Sequence, residues 1–85
     1  MYVPTAIEKL AIQARLNFML GSKLYDSLFL GFDLASVNNR KTATVFARSE
    51  YNANQIATNY RLHVAIAIES IIKLPIKNVI VFPVQ

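Results

Sequence analysis

Five carboxylates and one histidine are the groups from which acid–base or metal chemistry would have to be drawn: Glu8, Asp26, Asp33, Glu50, Glu69 and His63. They do not form a reactive set. Glu8 follows Thr5 at the spacing of a capping box, in which each side chain satisfies a free backbone amide at a helix start. Glu50 follows Ser49, a short polar residue of the N-cap type, and sits where a carboxylate suits the positive end of the helix dipole. Glu69 precedes Lys73 by four residues, the favourable order for a pair on an exposed helix face. A nucleophile–histidine–acid arrangement would need His63, which has no carboxylate near it in sequence; it reads as a half-buried packing residue. No cysteine is present, so disulfides and thiolate metal sites are ruled out, and one histidine cannot build a multi-histidine site. The two glycines, Gly21 and Gly31, are ten residues apart and form no phosphate-cradling loop. The sequence predicts a non-catalytic chain with no cofactor and no metal.

The basic residues offer a different chemistry. Nine Lys and Arg against five Asp and Glu give a net charge of +4. They are scattered, with only Arg40 and Lys41 adjacent, so attraction to anions is diffuse and not gathered into a groove. Arg40, Lys41 and Arg48, with an exposed aromatic such as Phe46, would suit weak contact with a single strand, since bases stack on aromatics in basic surroundings. The same charges would equally serve solubility alone. Hydrophobic residues make up 54% of the chain and charged ones 16%, a balance more apolar than in most soluble domains. It implies either apolar surface kept for a partner or a second copy, or an unusually dense core. No apolar stretch approaches the ~20 residues of a membrane span, and the start lacks a basic segment followed by a clean apolar run. With no cysteine to suggest an oxidising compartment, a cytoplasmic protein is the expectation.

These residues must be positioned by a small set of elements. At 85 residues the chain is read as a single domain, 1–85. After the extended Tyr2-Val3-Pro4, a helix runs from the Thr5–Glu8 box to about Leu20. Its inner stripe is read as Ile7, Leu10, Ala11, Ala14 and Phe18, widened by Ile12, Leu16 and Met19. Gly21 ends it. Ser22 caps a short helix, Lys23 to Leu30, with Leu24 and Leu28 inward. Phe32–Val37 and Thr42–Ala47 form a hairpin about the turn Asn38-Asn39-Arg40-Lys41, whose asparagines tolerate left-handed angles. From Ser49 to Leu74 the apolar spacing Ile56, Tyr60, Val64, Ala67, Ile68, Ile71 predicts one long helix that Pro75 stops. Ile76–Val84 is a last strand, apolar on both faces at Val79-Ile80-Val81-Phe82, hence central or covered. The order is α-α-β-β-α-β, an α+β domain with a three-stranded sheet packed by helices.

This order, and two stretches within it, resemble the N-terminal domain of the bacterial replication initiator DnaA, a small KH-like fold. The stronger stretch is Thr42-Ala43-Thr44-Val45-Phe46-Ala47-Arg48-Ser49-Glu50-Tyr51 with Ile56 and Tyr60. It is similar to the family's T-L-T-[apolar]-x-A strand, then P-N-x-F, then a helix carrying a tyrosine. Tyr51 falls on the family's phenylalanine and Ser49 on its asparagine. Tyr25-Asp26-Ser27-Leu28-Phe29 resembles the short-helix pattern F-x-T-W-[apolar]. Arg48 stands in place of the usual proline, and Leu28 and Gln55 stand where tryptophans are typical.

The resemblance implies a non-catalytic adaptor in DNA replication initiation. Its partner would be the replicative helicase or a regulator of initiation, with self-association as a further possibility. Tyr51, with Glu50 and Ser49, would form one half of the contact surface; the short helix, at Leu24 and Tyr25, would form the other. The residues themselves leave Tyr51 open to a second role, a hydrophobic staple that anchors its helix. The alternative function is a small KH-like nucleic-acid-binding protein with weak single-strand affinity through Arg40, Lys41 and Arg48. It lacks the GXXG loop of KH domains, since Leu20-Gly21-Ser22-Lys23 has one glycine.

Overall fold

Four helices and a three-stranded mixed sheet make up the computed structural model, which describes residues 1–84. In chain order the elements are α1 (Ala6–Leu20), α2 (Ser22–Leu28), β1 (Asp33–Val37), β2 (Thr42–Ala47), α3 (Glu50–Asn59), α4 (Arg61–Ile72) and β3 (Asn78–Pro83). The fold is α+β, as the sequence predicts.

The chain starts where its caps say it should. Thr5 Oγ1 accepts from the Glu8 amide at 3.1 Å, and a Glu8 carboxylate oxygen accepts from the Thr5 amide at 2.9 Å. The Tyr2 hydroxyl donates to the same carboxylate at 2.6 Å. That hydrogen bond, followed by the Thr5 amide, holds the Glu8 carboxyl below its ordinary value. The sign follows directly. A depressed folded-state value means stability that is full above pH 4.5, the ordinary value, and is lost as pH falls through the folded value. Urea melts at falling pH are therefore expected to show an acid-side loss of stability that Glu8→Gln reduces. An unchanged acid slope in that variant would mean that the cap contributes nothing to it.

Gly21 joins α1 to α2 without a loop. Its φ of 85° is open to glycine and strained for other residues. Its amide closes α1 on the Asn17 carbonyl at 2.9 Å, and its carbonyl accepts from the Tyr25 amide at 3.0 Å. Gly21, and not Ser22, is the N-cap of α2, and Ser22 makes no side-chain cap.

The hairpin turn works differently from expectation. Asn38 Oδ1 accepts from the Arg40 and Thr42 amides at 2.9 and 3.1 Å, so this asparagine acts through its side chain. The left-handed residue is Lys41, with φ 65°. Along β2 the alternation holds, with Ala43, Val45 and Ala47 buried beneath the helices. The strand order is β1-β2-β3, with β1 antiparallel and β3 parallel to β2. β3 is thus an edge strand, neither central nor covered: Val79 is buried, but Ile80 and Phe82 are exposed on its other face.

Two helices depart from the sequence reading. The single helix expected over Ser49–Leu74 is two, meeting at Tyr60, whose φ and ψ of −127° and 12° leave the helical region. A straight helix over Glu50–Ile72 would run about 34 Å at 1.5 Å per residue, longer than the largest dimension of the domain, 31 Å. The run Thr58-Asn59-Tyr60 consists of weak helix formers, so the bend falls there. Tyr60 then sets its ring edge-on to Phe29 at 6.0 Å. At the far end Lys73 adopts φ 68° and closes α4, ahead of Pro75. Glu69 does not pair with Lys73; it accepts from the Ile76 amide at 2.8 Å and fixes the turn into β3.

In α1 the buried residues are Ile12 and Leu16, with Met19 and Leu20 packed beside them. Ile7, Leu10 and Phe18, the expected inner stripe, are exposed. Both faces of this helix are apolar at helical spacing, and periodicity alone cannot choose between them. Packing of α1 on α4 settles which face turns inward. No helix among the described residues is long and apolar enough to cross a membrane.

Candidate interaction site

Ser49, Glu50 and Tyr51 lie at the start of α3, where β2 hands the chain to the helix. Ser49 Oγ accepts from the Asn52 amide at 3.1 Å, the cap expected from its position, and Glu50 occupies the first turn. The Tyr51 side chain is 67% exposed. That exposure excludes a staple buried in the core and leaves a rigid aromatic presented to solvent.

The residue after it does the structural work. Asn52 is the one buried polar residue of the described core, and its Nδ2 donates to the Leu28 carbonyl at 3.2 Å. Leu28 ends α2, so this bond ties the start of α3 to the end of α2. Arg48 reinforces the joint, donating to the Ser27 carbonyl at 3.4 Å. The two halves of the surface expected from the resemblance are therefore held side by side. Nothing in the sequence pattern marks Asn52.

The α2 half is only partly available. Leu24 is half-buried, lining a shallow groove with Leu20, Lys23 and Ser27 where α1 turns into α2. Tyr25, expected as a contact, is buried; its ring stacks on Phe29 with centroids 6.0 Å apart. Burial, then the neighbouring Asp26, pushes its hydroxyl above the ordinary tyrosine value. Tyr25 supports the surface from behind and offers little of itself to a partner.

The three basic residues singled out from sequence do not share a patch. Arg40 and Lys41 are in the hairpin turn, and Arg48 follows the opposite end of β2, about 20 Å away at ~3.3 Å per residue. The company of Arg40 and Lys41 is instead Lys77, whose amide donates to the Lys41 carbonyl at 2.8 Å.

One arrangement the sequence did not reveal is aromatic. Parallel register places Phe46 of β2 beside Phe82 of β3, with ring centroids 6.0 Å apart on the sheet face away from the helices. His63 sits edge-on to Tyr60 at 5.5 Å, half-buried as expected, with its Nδ1 buried and unpartnered. Among the described residues no three His, Asp or Glu side chains are gathered in a way that could hold a metal ion. Comparison of the chain with family models, with curated proteins and with solved structures finds no match.

Proposed function

We propose that this chain is a non-catalytic interaction domain of the DnaA N-terminal type, with a KH-like arrangement, that works in the cytoplasm at the initiation of DNA replication. Its surface is the start of α3 beside α2, centred on Tyr51 with Ser49, Glu50 and Leu24, and its partner is the replicative helicase or a regulator of initiation. The observation that carries the reading is the exposure of Tyr51, 67%, on a capped helix start tied to its neighbour through Asn52. A large aromatic on a rigid element is what an interface anchor requires, and an isolated domain gains nothing by exposing it. Titration of the domain with purified replicative helicase tests the reading. Saturable binding is expected; failure to bind both the helicase and initiation regulators overturns it.

A second reading, weak single-strand binding, is favoured by the Phe46–Phe82 pair on the open sheet face and by Arg40 and Lys41 in the turn that leads into β2. Replacing Arg40 and Lys41 together by alanine is expected to lower any affinity for single-stranded DNA and to flatten its salt dependence by about 1.4 units of slope, ~0.7 for each charge removed. Binding of a protein partner should be unchanged. Loss of partner binding in that double variant would place the hairpin turn within the protein interface.

A further inference from the structure

Helix α1 carries two apolar stripes, and the core covers one of them. Ile12 and Leu16 are buried, while Ile7 is 80%, Leu10 66% and Phe18 83% exposed on the opposite side. Ala14 is exposed with them and Ala11 is half-buried. Ile7, Ala11, Ala14 and Phe18 follow one another at steps of four, three and four, the alternation of a coiled-coil seam, and Leu10 widens it. The seam runs most of the length of α1, 15 residues, about 22 Å at 1.5 Å per residue. Apolar surface this continuous marks an interaction site. The two flanks of the seam differ. One carries Glu8 and Arg15, seven residues apart and so at the same heptad position. Glu8 is a carboxylate at neutral pH, held below its ordinary value by hydrogen bonds from Tyr2 and Thr5. The other flank, at Gln13 and Asn17, is uncharged. Lys9 lies off the seam and pairs with Asp33 at 3.0 Å.

We propose that this seam binds the same seam of a second copy of the chain, with the two α1 helices antiparallel about a two-fold axis that passes between Ala11 and Ala14. Ile7 then meets Phe18 of the second copy at each end, and Ala11 meets Ala14 in the middle, where small side chains let the backbones approach. Charge selects this occupant and this direction. In an antiparallel pair each flank faces its own kind reversed, so Glu8 of each copy comes near Arg15 of the other, and opposite charges at an interface fix register. A parallel pair would set the charged flank against the uncharged one. A lipid surface calls for cations along the polar sides of a helix, and here one flank has none and the other holds a carboxylate. The exposed side chains amount to on the order of 500 Å² per copy, so the pair buries about 1,000 Å², the low end for a specific contact. The dimer is therefore weak and depends on concentration. The seam shares no residue with the Tyr51 surface and stands independently of it.

Analytical ultracentrifugation of the chain over a series of concentrations is expected to show a reversible monomer–dimer equilibrium with a Kd below about 1 mM. Phe18→Glu, at a residue exposed enough to leave the fold intact, should raise that Kd about tenfold or more. Arg15→Glu, which sets carboxylates together at both ends of the contact, should raise it severalfold. Tyr51→Ala should leave it unchanged. The chain has no cysteine, so the register can be read directly. In a mixture of Ala11→Cys and Ala14→Cys proteins, oxidation should give the mixed disulfide dimer faster than either protein links to itself. If the half-buried Ala11→Cys misfolds, Phe18→Glu and Arg15→Glu decide alone. The proposal is overturned if the chain stays monomeric up to about 1 mM, or if Phe18→Glu dimerises like the parent. It is also overturned if each cysteine variant links to itself in preference, or if Tyr51→Ala disperses the dimer.

Discussion

Ile68→Asp is expected to leave no cooperatively folded domain at neutral pH. Ile68 is fully buried on the inner side of α4, in the cluster shared by the helices and the sheet. A carboxylate there loses its water and meets no cation or donor placed to receive it. The cost of an unpaired buried charge, added to the lost packing of the isoleucine, exceeds about 4 kcal/mol. A chain of 85 residues has a total stability of only about 4–13 kcal/mol, so a cost of this size removes a large share of it at the upper end and all of it at the lower. Two controls on the same helix make the reading specific. Ile68→Val shortens the side chain without adding charge and should cost about 1 kcal/mol, a fall in Tm of roughly 4–8 °C for a domain of this size. Ile66→Asp lies two residues away on the outer side, 45% exposed, and should melt close to the parent. A cooperative melt of Ile68→Asp near the parent temperature would mean that the buried face of α4 is assigned wrongly.

That comparison of Ile66 with Ile68 touches the point where sequence reasoning reaches its limit. Where local chemistry decides, the elements were legible. Thr5 with Glu8 and Ser49 with Asn52 are caps whose partners lie three residues away, and such contacts are readable without a fold. The alternation of Thr42, Thr44 and Phe46 against Ala43, Val45 and Ala47 marks a half-buried strand by the same local logic. Where both faces of an element are apolar, the pattern carries no preference, and tertiary packing chooses. In α1 it chose Ile12 and Leu16 over Ile7, Leu10 and Phe18. In β3 it left Ile80 and Phe82 exposed at an edge, although Val79-Ile80-Val81-Phe82 reads as a central or covered strand. The bend at Tyr60 was hidden because its neighbours keep helical spacing through it; the limit is the size of the globule, a global property.

The candidate site divides along the same line. The capped helix start that carries Tyr51 was readable beforehand, but the choice between an exposed ring and a staple was made only by the fold, which leaves the residue 67% exposed. The burial of Tyr25 against Phe29, the tie from Asn52 to Leu28 and the meeting of Phe46 with Phe82 depend on which elements become neighbours. The separation of Arg48 from Arg40 and Lys41 follows simply from the length of β2.

The most direct test of the interaction surface is Tyr51→Ala, measured for both stability and binding. The side chain is 67% exposed, so its removal takes little from the core. The Ser49 cap and the Asn52 bond to Leu28 remain in place to hold the helix start. Surface substitutions of this kind usually change stability within about 0.5 kcal/mol. As an interface anchor, the same ring is worth ~2 kcal/mol or more on truncation, about thirtyfold in affinity. Calorimetric titration of parent and variant with the replicative helicase, beside thermal melts of both, separates the two quantities. The expected result is a Kd raised about thirtyfold or more with a nearly unchanged Tm. A large fall in Tm, or full binding by the variant, would contradict the assignment of Tyr51 to a partner surface.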